Sequence, residues 1–259
     1  MSKIRLDKFI SNMTKLSRTE ATAQVYHNNI TVNGRIKKDP ALKIDPEVDE
    51  ICYKGEKIEY EAFVYYVLNK PAGVVSATED KKYKTVRELI DSPRDIAPVG
   101  RLDIDTEGLL LLTDDGKLAH ALISPKKHVD KVYYAEVDGT ITDEMIKGFE
   151  EGIDYGEDKP SLPGKLEPII DFKPIGNSEP SDDFESSHNS KSAAYVTIHE
   201  GKFHQIKRMF EVYGLHVTYL KRISMGNLSL DTIKIADEAT GELRPLNPGE
   251  YVKIKKEDI

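Results

Sequence analysis

Asp103 stands in the run Gly100-Arg101-Leu102-Asp103-Ile104-Asp105-Thr106-Glu107-Gly108, ahead of Leu109 to Leu112 and then Thr113-Asp114-Asp115-Gly116. A glycine-bounded loop exposes a side chain, and a buried apolar segment beside it keeps the loop still. An unperturbed aspartate has a pKa of about 3.9, so Asp103 is ionised at neutral pH. An ionised carboxylate can serve as nucleophile or general base. The residues Gly-Arg-Leu-Asp also suit a plain turn in which Arg101 and Asp103 partly neutralise each other.

Two further segments hold groups that could join such a carboxylate. Val132 to Val137 reads as a strand, so Tyr133 and Tyr134 point to opposite faces. One of the two can present a flat ring and a hydroxyl to a ligand while the other fills a core. In Glu200-Gly201-Lys202-Phe203-His204-Gln205-Ile206-Lys207-Arg208-Met209-Phe210, the residues Phe203, Ile206 and Phe210, with Tyr213 beyond, repeat at helical spacing. Gly214 is a plausible stop. This predicts a helix with one face in the core and Lys207 and Arg208 available for carboxylate or phosphate.

The elements around these groups can be read along the chain. Leu6, Phe9, Ile10 and Met13 fall on one face of a short helix. Ser17-Arg18-Thr19-Glu20 has the pattern of a capping box, opening a second helix to about Asn28. Ile30-Thr31-Val32 before Asn33-Gly34 reads as a strand entering a tight turn. A small strand-rich stretch follows to about Glu59. The apolar run Phe63 to Leu68 predicts a strand stopped by Asn69-Lys70-Pro71-Ala72-Gly73. Thr85 to Ile90 and Lys117 to Ile123 read as short helices, and Ala193 to Ile198 as a strand. Strands and helices are interspersed without long regular βαβ spacing. The expectation is an α+β chain with a mainly antiparallel mixed sheet, a small domain over 1–60 and a larger one over 61–259. Residues 171–192 hold little that could enter a core and read as a mobile acidic loop.

Composition narrows the class. The chain has 259 residues, 39% hydrophobic and 32% charged, which suits a soluble globular protein. Leu109 to Leu112 is far too short to span a membrane, and no leader pattern precedes the first helix. The single cysteine, Cys52, rules out an internal disulfide and a cysteine-based metal cage. The seven histidines lack metal-ligand spacing, and no phosphate-binding glycine loop occurs, so neither metal nor nucleotide cofactor is expected. Together these features predict a cytoplasmic protein. The net charge of −8 is unevenly spread. Residues 1–60 carry 11 Lys and Arg against 9 Asp and Glu, whereas residues 150–190 carry 11 acids against 3 lysines. Local basic faces therefore remain available to a polyanion.

The run from Gly100 to Gly116 resembles the catalytic loop of the pseudouridine synthases that modify ribosomal RNA, the RsuA type. Leu68-Asn69-Lys70-Pro71-Ala72-Gly73, Lys131-Val132-Tyr133, His204-Gln205-Ile206-Lys207-Arg208-Met209 and Thr240-Gly241-Glu242-Leu243-Arg244-Pro245-Leu246 resemble other family segments in the family's order. Leu243 departs from the usual tyrosine. The first 60 residues, with Arg5-Leu6-Asp7-Lys8-Phe9 and Ser17-Arg18, resemble an S4 RNA-binding domain. The resemblance implies conversion of uridine to pseudouridine in RNA, without cofactor. It implies Asp103 as the catalytic carboxylate and Arg101 as a holder of the flipped nucleotide or its phosphates. It further implies Tyr133 facing the active site and Lys207 paired with Asp103. The S4 likeness implies RNA contacts from Arg5, Lys8, Lys15 and Arg18. His204 to Phe210 and Ile123 to His128 are closer to the enzyme of the small subunit, which implies 16S rRNA as partner; because the RNA supplies the large partner surface, a monomer is expected. A 23S rRNA enzyme and a non-catalytic ribosome-assembly factor are the alternatives.

Overall fold

The computed structural model describes residues 3–170, 172 and 191–259. The acidic loop expected at 171–192 lies, apart from Phe172 and residues 191–192, outside the described residues. The chain divides into two compact units: residues up to Val64 together with Ile90–Ile96, and Tyr65–Leu89 together with Ala97–Ile259.

In the first unit, helix α1 (Leu6–Met13) buries Leu6, Phe9 and Ile10. Helix α2 (Arg18–Tyr26) opens on the expected capping box. The Ser17 hydroxyl accepts the Glu20 N–H at 3.3 Å, and the Glu20 carboxylate accepts the Ser17 N–H at 2.8 Å. The helix ends two residues before Asn28, which adopts a left-handed conformation. Strand Ile30–Val32 turns through Asn33 and Gly34, both at positive φ, into Arg35–Ile36. Two successive positive φ values are what a tight primed hairpin turn requires, which explains Asn-Gly there. Ile51–Tyr53 and Glu56–Lys57 complete a four-stranded sheet. One apolar cluster joins Leu6, Phe9, Ile10, Val25, Ile30, Ile44 and Ile51.

The second unit is built on one large sheet. Its main path runs Lys165–Pro168, Ser192–Ile198, Lys131–Val137, Val217–Met225, Glu107–Thr113, Tyr65–Lys70, Tyr251–Ile254. These pairs are antiparallel except Val217–Met225 with Glu107–Thr113, which run parallel through Lys221–Glu107 and Arg222–Gly108. Leu109 to Leu112 is buried on both faces, which is why it lacks the alternation of a half-solvated strand. Leu109 and Leu111 pack with Tyr65, Val67, Leu122, Met225 and Leu246. Helix α3 (Gly116–Ile123) is capped by Asp115, whose carboxylate accepts the N–H groups of Lys117 and Leu118. Helix α4 (Asp143–Glu151) and helix α5 (Gln205–Glu211) meet through Phe149 and Phe210, with ring centroids 5.3 Å apart.

Three local expectations change. The strand expected to stop at Leu68 continues through Asn69 and Lys70, because Lys70 pairs with Gly108. Thr85 to Ile90 forms only a single 3₁₀ turn, Arg87–Leu89; Ser92-Pro93 follows, and proline disfavours helix in the residue before it. Phe203 lies outside α5 and is exposed, whereas Ile206, Met209 and Phe210 are buried. His204 is left-handed at the helix start, which breaks the helical phase that the spacing implied.

Gly108 pairs with Arg222 across the parallel strands. Its φ is +106°, and a Cβ built there would stand 2.2 Å from the Arg222 carbonyl oxygen. Gly108→Ala combines unfavourable backbone geometry with a clash against main chain, costing about 3 kcal/mol or more. For a unit of this size the expected result is a melting temperature lower by about 6–12 °C, read by calorimetry. A melt within 1 °C or so of the native chain would show that the strands separate without penalty.

Candidate active site

The loop bearing Asp103 is held from behind. Lys70 is fully buried at the end of its strand. Its ammonium donates to the carbonyl oxygens of Thr106 at 2.8 Å, Pro71 and Asp103 at 3.0 Å, and Ile104 at 3.4 Å. Burial pushes the Lys70 pKa down to about 8, against the pull of Asp105, Glu107 and Asp103. Ser76 clasps Leu102, its hydroxyl donating to the carbonyl at 2.9 Å and accepting from the N–H at 3.0 Å. The Gly73 N–H donates to Ile104 at 2.7 Å, and the Thr106 N–H to the Asp103 carbonyl at 3.1 Å. The main chain from Leu102 to Thr106 is thus fixed, while the Asp103 carboxylate keeps part of its surface open.

Helix α5 brings the counter-charge. The Lys207 ammonium stands 3.5 Å from Asp103 Oδ2, but it bonds more closely to both oxygens of Asp105, at 2.7 and 2.8 Å. Burial works against the Asp105 charge, yet the Lys207 ammonium outweighs it and holds this carboxyl below its usual pKa. Lys207 therefore bridges two carboxylates, where the sequence implied a pair with Asp103 alone. His204 adds a third contact: its Nε2 stands 3.5 Å from Asp103 Oδ1. The segment leading to α5 is pinned by Gln205, which is buried. Its side-chain amide donates to Glu200 at 2.9 Å, and its carbonyl accepts the Lys202 N–H at 3.1 Å.

Tyr133 is buried on strand Lys131–Val137 and lines one pocket with Arg101, Asp103, Ile198, His204 and Lys207. The pocket is a partly open cleft. Thr106 lines it as well, its hydroxyl buried without a hydrogen-bond partner. Arg101 is exposed at the pocket wall. Tyr134 faces the other way, its hydroxyl donating to Glu136 at 3.0 Å and its ring meeting Tyr195 and Tyr219. Arg208 is ion-paired with Glu157, donates to the Tyr155 carbonyl and lies over the Tyr155 ring. Its role is to tie α5 down. Among the described residues no group of three or more His, Cys, Asp or Glu could hold a metal ion, and no helix is long and apolar enough to cross a membrane.

Of the four cations expected to contact RNA, Arg5, Lys15 and Arg18 are ion-paired. Arg5 donates to Asp7 at 3.0 and 2.6 Å, and Arg18 stands 3.5 Å from the same carboxylate. The Arg5 bonds hold the buried Asp7 carboxyl below its usual range. Lys15 meets Asp91 at 2.7 Å. Lys8 is exposed on α1. A basic group not expected from the sequence, Arg35, Lys37 and Lys43, lines a groove beside the Asn33 turn.

The pocket brings a carboxylate, Asp103, together with Arg101, His204 and Lys207, on a chain with a second, smaller unit. Comparison with known proteins specifies the class. Residues 64–212 match the RNA pseudouridylate synthase family, and residues 4–50 match the S4 domain. The chain is 38% identical over 260 residues to the RNA pseudouridine synthase YtzG of Bacillus subtilis, covering 99% of this chain and 97% of that one. It is 35% identical over 255 residues to the ribosomal small subunit pseudouridine synthase A of Escherichia coli K12, covering 97% and 100%. A crystal structure of a pseudouridylate synthase superposes with a TM-score of 0.59 at 34% identity, covering 98% of this chain and 97% of that one. The chain belongs to the RNA pseudouridylate synthase family, and is an isomerase acting on RNA.

Proposed function

We propose that this enzyme converts one uridine of 16S ribosomal RNA to pseudouridine, with Asp103 as the reacting carboxylate. The observation that carries the reading is the setting of Asp103. Its main chain is locked by Lys70 and Ser76, and its carboxylate stands between Lys207 and His204 in the Tyr133 pocket. The reaction breaks the bond from C1′ to N1, turns the uracil, and joins C1′ to C5; the C5 proton leaves and N1 gains one. Atoms balance without oxidant or cofactor. A base in folded RNA must first leave its stack, at a cost of a few kcal/mol. Tyr133 offers that base a flat wall, and Arg101 a charge for its phosphate. Lys207 sets a positive charge 3.5 Å from the Asp103 carboxylate. Closing the pocket around the base keeps the detached uracil from escaping.

The choice of 16S rRNA draws on full-length similarity to the E. coli small-subunit enzyme. Residues 1–60 act as the RNA-docking domain and 61–259 as the catalytic one. Lys8, Arg5, Lys15 and Arg18 supply phosphate contacts, and the chain works as a monomer in the cytoplasm, where its substrate is. The deciding measurement maps pseudouridine at nucleotide resolution in 16S and 23S rRNA from cells with and without the protein. Loss of one 16S pseudouridine, restored by the intact gene, is expected. Loss confined to 23S rRNA would replace the proposed target, and no loss in either would remove rRNA as the substrate.

A further inference from the structure

Four apolar side chains stay exposed around one opening: Phe203 at 73%, Ile123 at 42%, Tyr83 at 41% and Ile104 at 36%. All four line the broad cleft that also reaches Arg101, Asp103 and Lys207. Exposed apolar residues scattered singly need no explanation, but a group gathered at a catalytic opening does. Phe203 is the most exposed of them, and its position is set by one neighbour. Its ring lies on the His204 imidazole, centroids 3.8 Å apart and planes 17° from parallel. His204 in turn reaches Asp103 at 3.5 Å. A flat group on the open face of Phe203 would extend this stack outward from the reacting carboxylate. Cations at the opening can meet phosphates: Arg101, Lys202 and Lys207 line it beside Asp103 and Asp105, and the Lys82 ammonium lies 4.8 Å from the centre of the Tyr83 ring.

We propose that Phe203, backed by His204, is a stacking shelf for the base next to the reacting uridine, with Tyr83 a second aromatic contact in the same opening. Flipping the uridine strips its neighbour of one stacking partner. An aromatic side chain with a free face replaces that partner without reading sequence, while the cations hold the phosphates on either side. This rests on the reading of the Asp103 pocket as the site of uridine isomerisation, and adds a nucleotide subsite to it.

The test uses the full chain and in vitro 16S and 23S rRNA transcripts, then a short RNA around whichever uridine the native enzyme modifies. Versions of that RNA carry an abasic ribose on the 5′ or the 3′ side of the target. Phe203→Ala is expected to raise KM about tenfold with kcat little changed, and Phe203→Tyr to restore the native value. An abasic neighbour on one side should weaken the native enzyme by a similar factor and leave Phe203→Ala unaffected, since the partner is already missing. Native KM for Phe203→Ala, or losses that multiply with the abasic site on both sides, overturns the shelf while leaving the rRNA reading intact. A native enzyme that forms no pseudouridine in either transcript overturns the rRNA reading, and the shelf with it.

Discussion

Asp103→Asn abolishes pseudouridine formation, with the single-turnover rate expected to fall by about 10⁴-fold or more, while the fold survives. The two halves of this expectation have separate causes. The loop is held through main-chain atoms: Lys70 and the Thr106 N–H both use the Asp103 carbonyl, and Ser76 uses Leu102. Asparagine leaves all of these bonds in place. It also leaves little charge uncompensated, because Lys207 keeps its closer partner Asp105 at 2.7 Å. The melting temperature should therefore stay within about 2 °C of the native value. The chemistry has no such reserve. An amide neither attacks carbon nor takes a proton at neutral pH. Asp105, the other carboxylate in contact with Lys207, is engaged through both oxygens. A variant that still isomerises uridine at a native rate would place the reacting group elsewhere and refute the assignment.

The sequence made the candidate site segments visible in a way it could not make their contacts visible. Asp103, Tyr133 and Lys207 come from a loop, a strand and a helix, and the structure gathers all three at one pocket. Each stands in a segment with its own signal: glycine-bounded loop, alternating strand, helical repeat. What periodicity cannot supply is which carboxylate an ammonium reaches. Asp103 and Asp105 are two residues apart, and only the placement of α5 decides that Lys207 lies nearer Asp105. Phe203 failed for a related reason. Its spacing from Ile206 suggested a core position, but one left-handed residue at His204 turns it out of the helix. In the first unit, charge counting could not show that Arg5 and Arg18 share the buried Asp7. The hairpin turn and the capping box were legible because their bonds are local.

Lys70 was the least legible group, since Asn-Lys-Pro-Ala-Gly reads as a turn, and it carries the second large prediction. Lys70→Met keeps the aliphatic stem and removes the ammonium. Three carbonyl oxygens, of Thr106, Pro71 and Asp103, then lose a donor within 3.0 Å, and among the described residues only the Asp103 carbonyl of these keeps another, the Thr106 N–H. A buried acceptor without a partner costs about 1–3 kcal/mol. The three share one donor and relax together, so a total of about 3–5 kcal/mol is expected, near the cost of breaking a buried charge pair. That corresponds to a fall of about 6–20 °C in melting temperature for the larger unit. Activity should drop further than stability explains, by about 10²-fold at a temperature where the variant is still folded, because the loop that aims Asp103 shifts by a fraction of an ångström to an ångström. A pH series separates the ammonium from mere packing. The folded-state pKa of about 8 lies below the ordinary lysine value near 10.5, so between these limits the unfolded chain binds more protons. The native enzyme's stability relative to Lys70→Met should therefore rise with pH across this window, and be flat below about pH 7. Paired melts at pH 7 and pH 9.5 read this directly. Equal melting and equal turnover for the two proteins at both pH values would show that the loop stands without its ammonium, and that Ser76, Gly73 and the Thr106 N–H suffice to position Asp103.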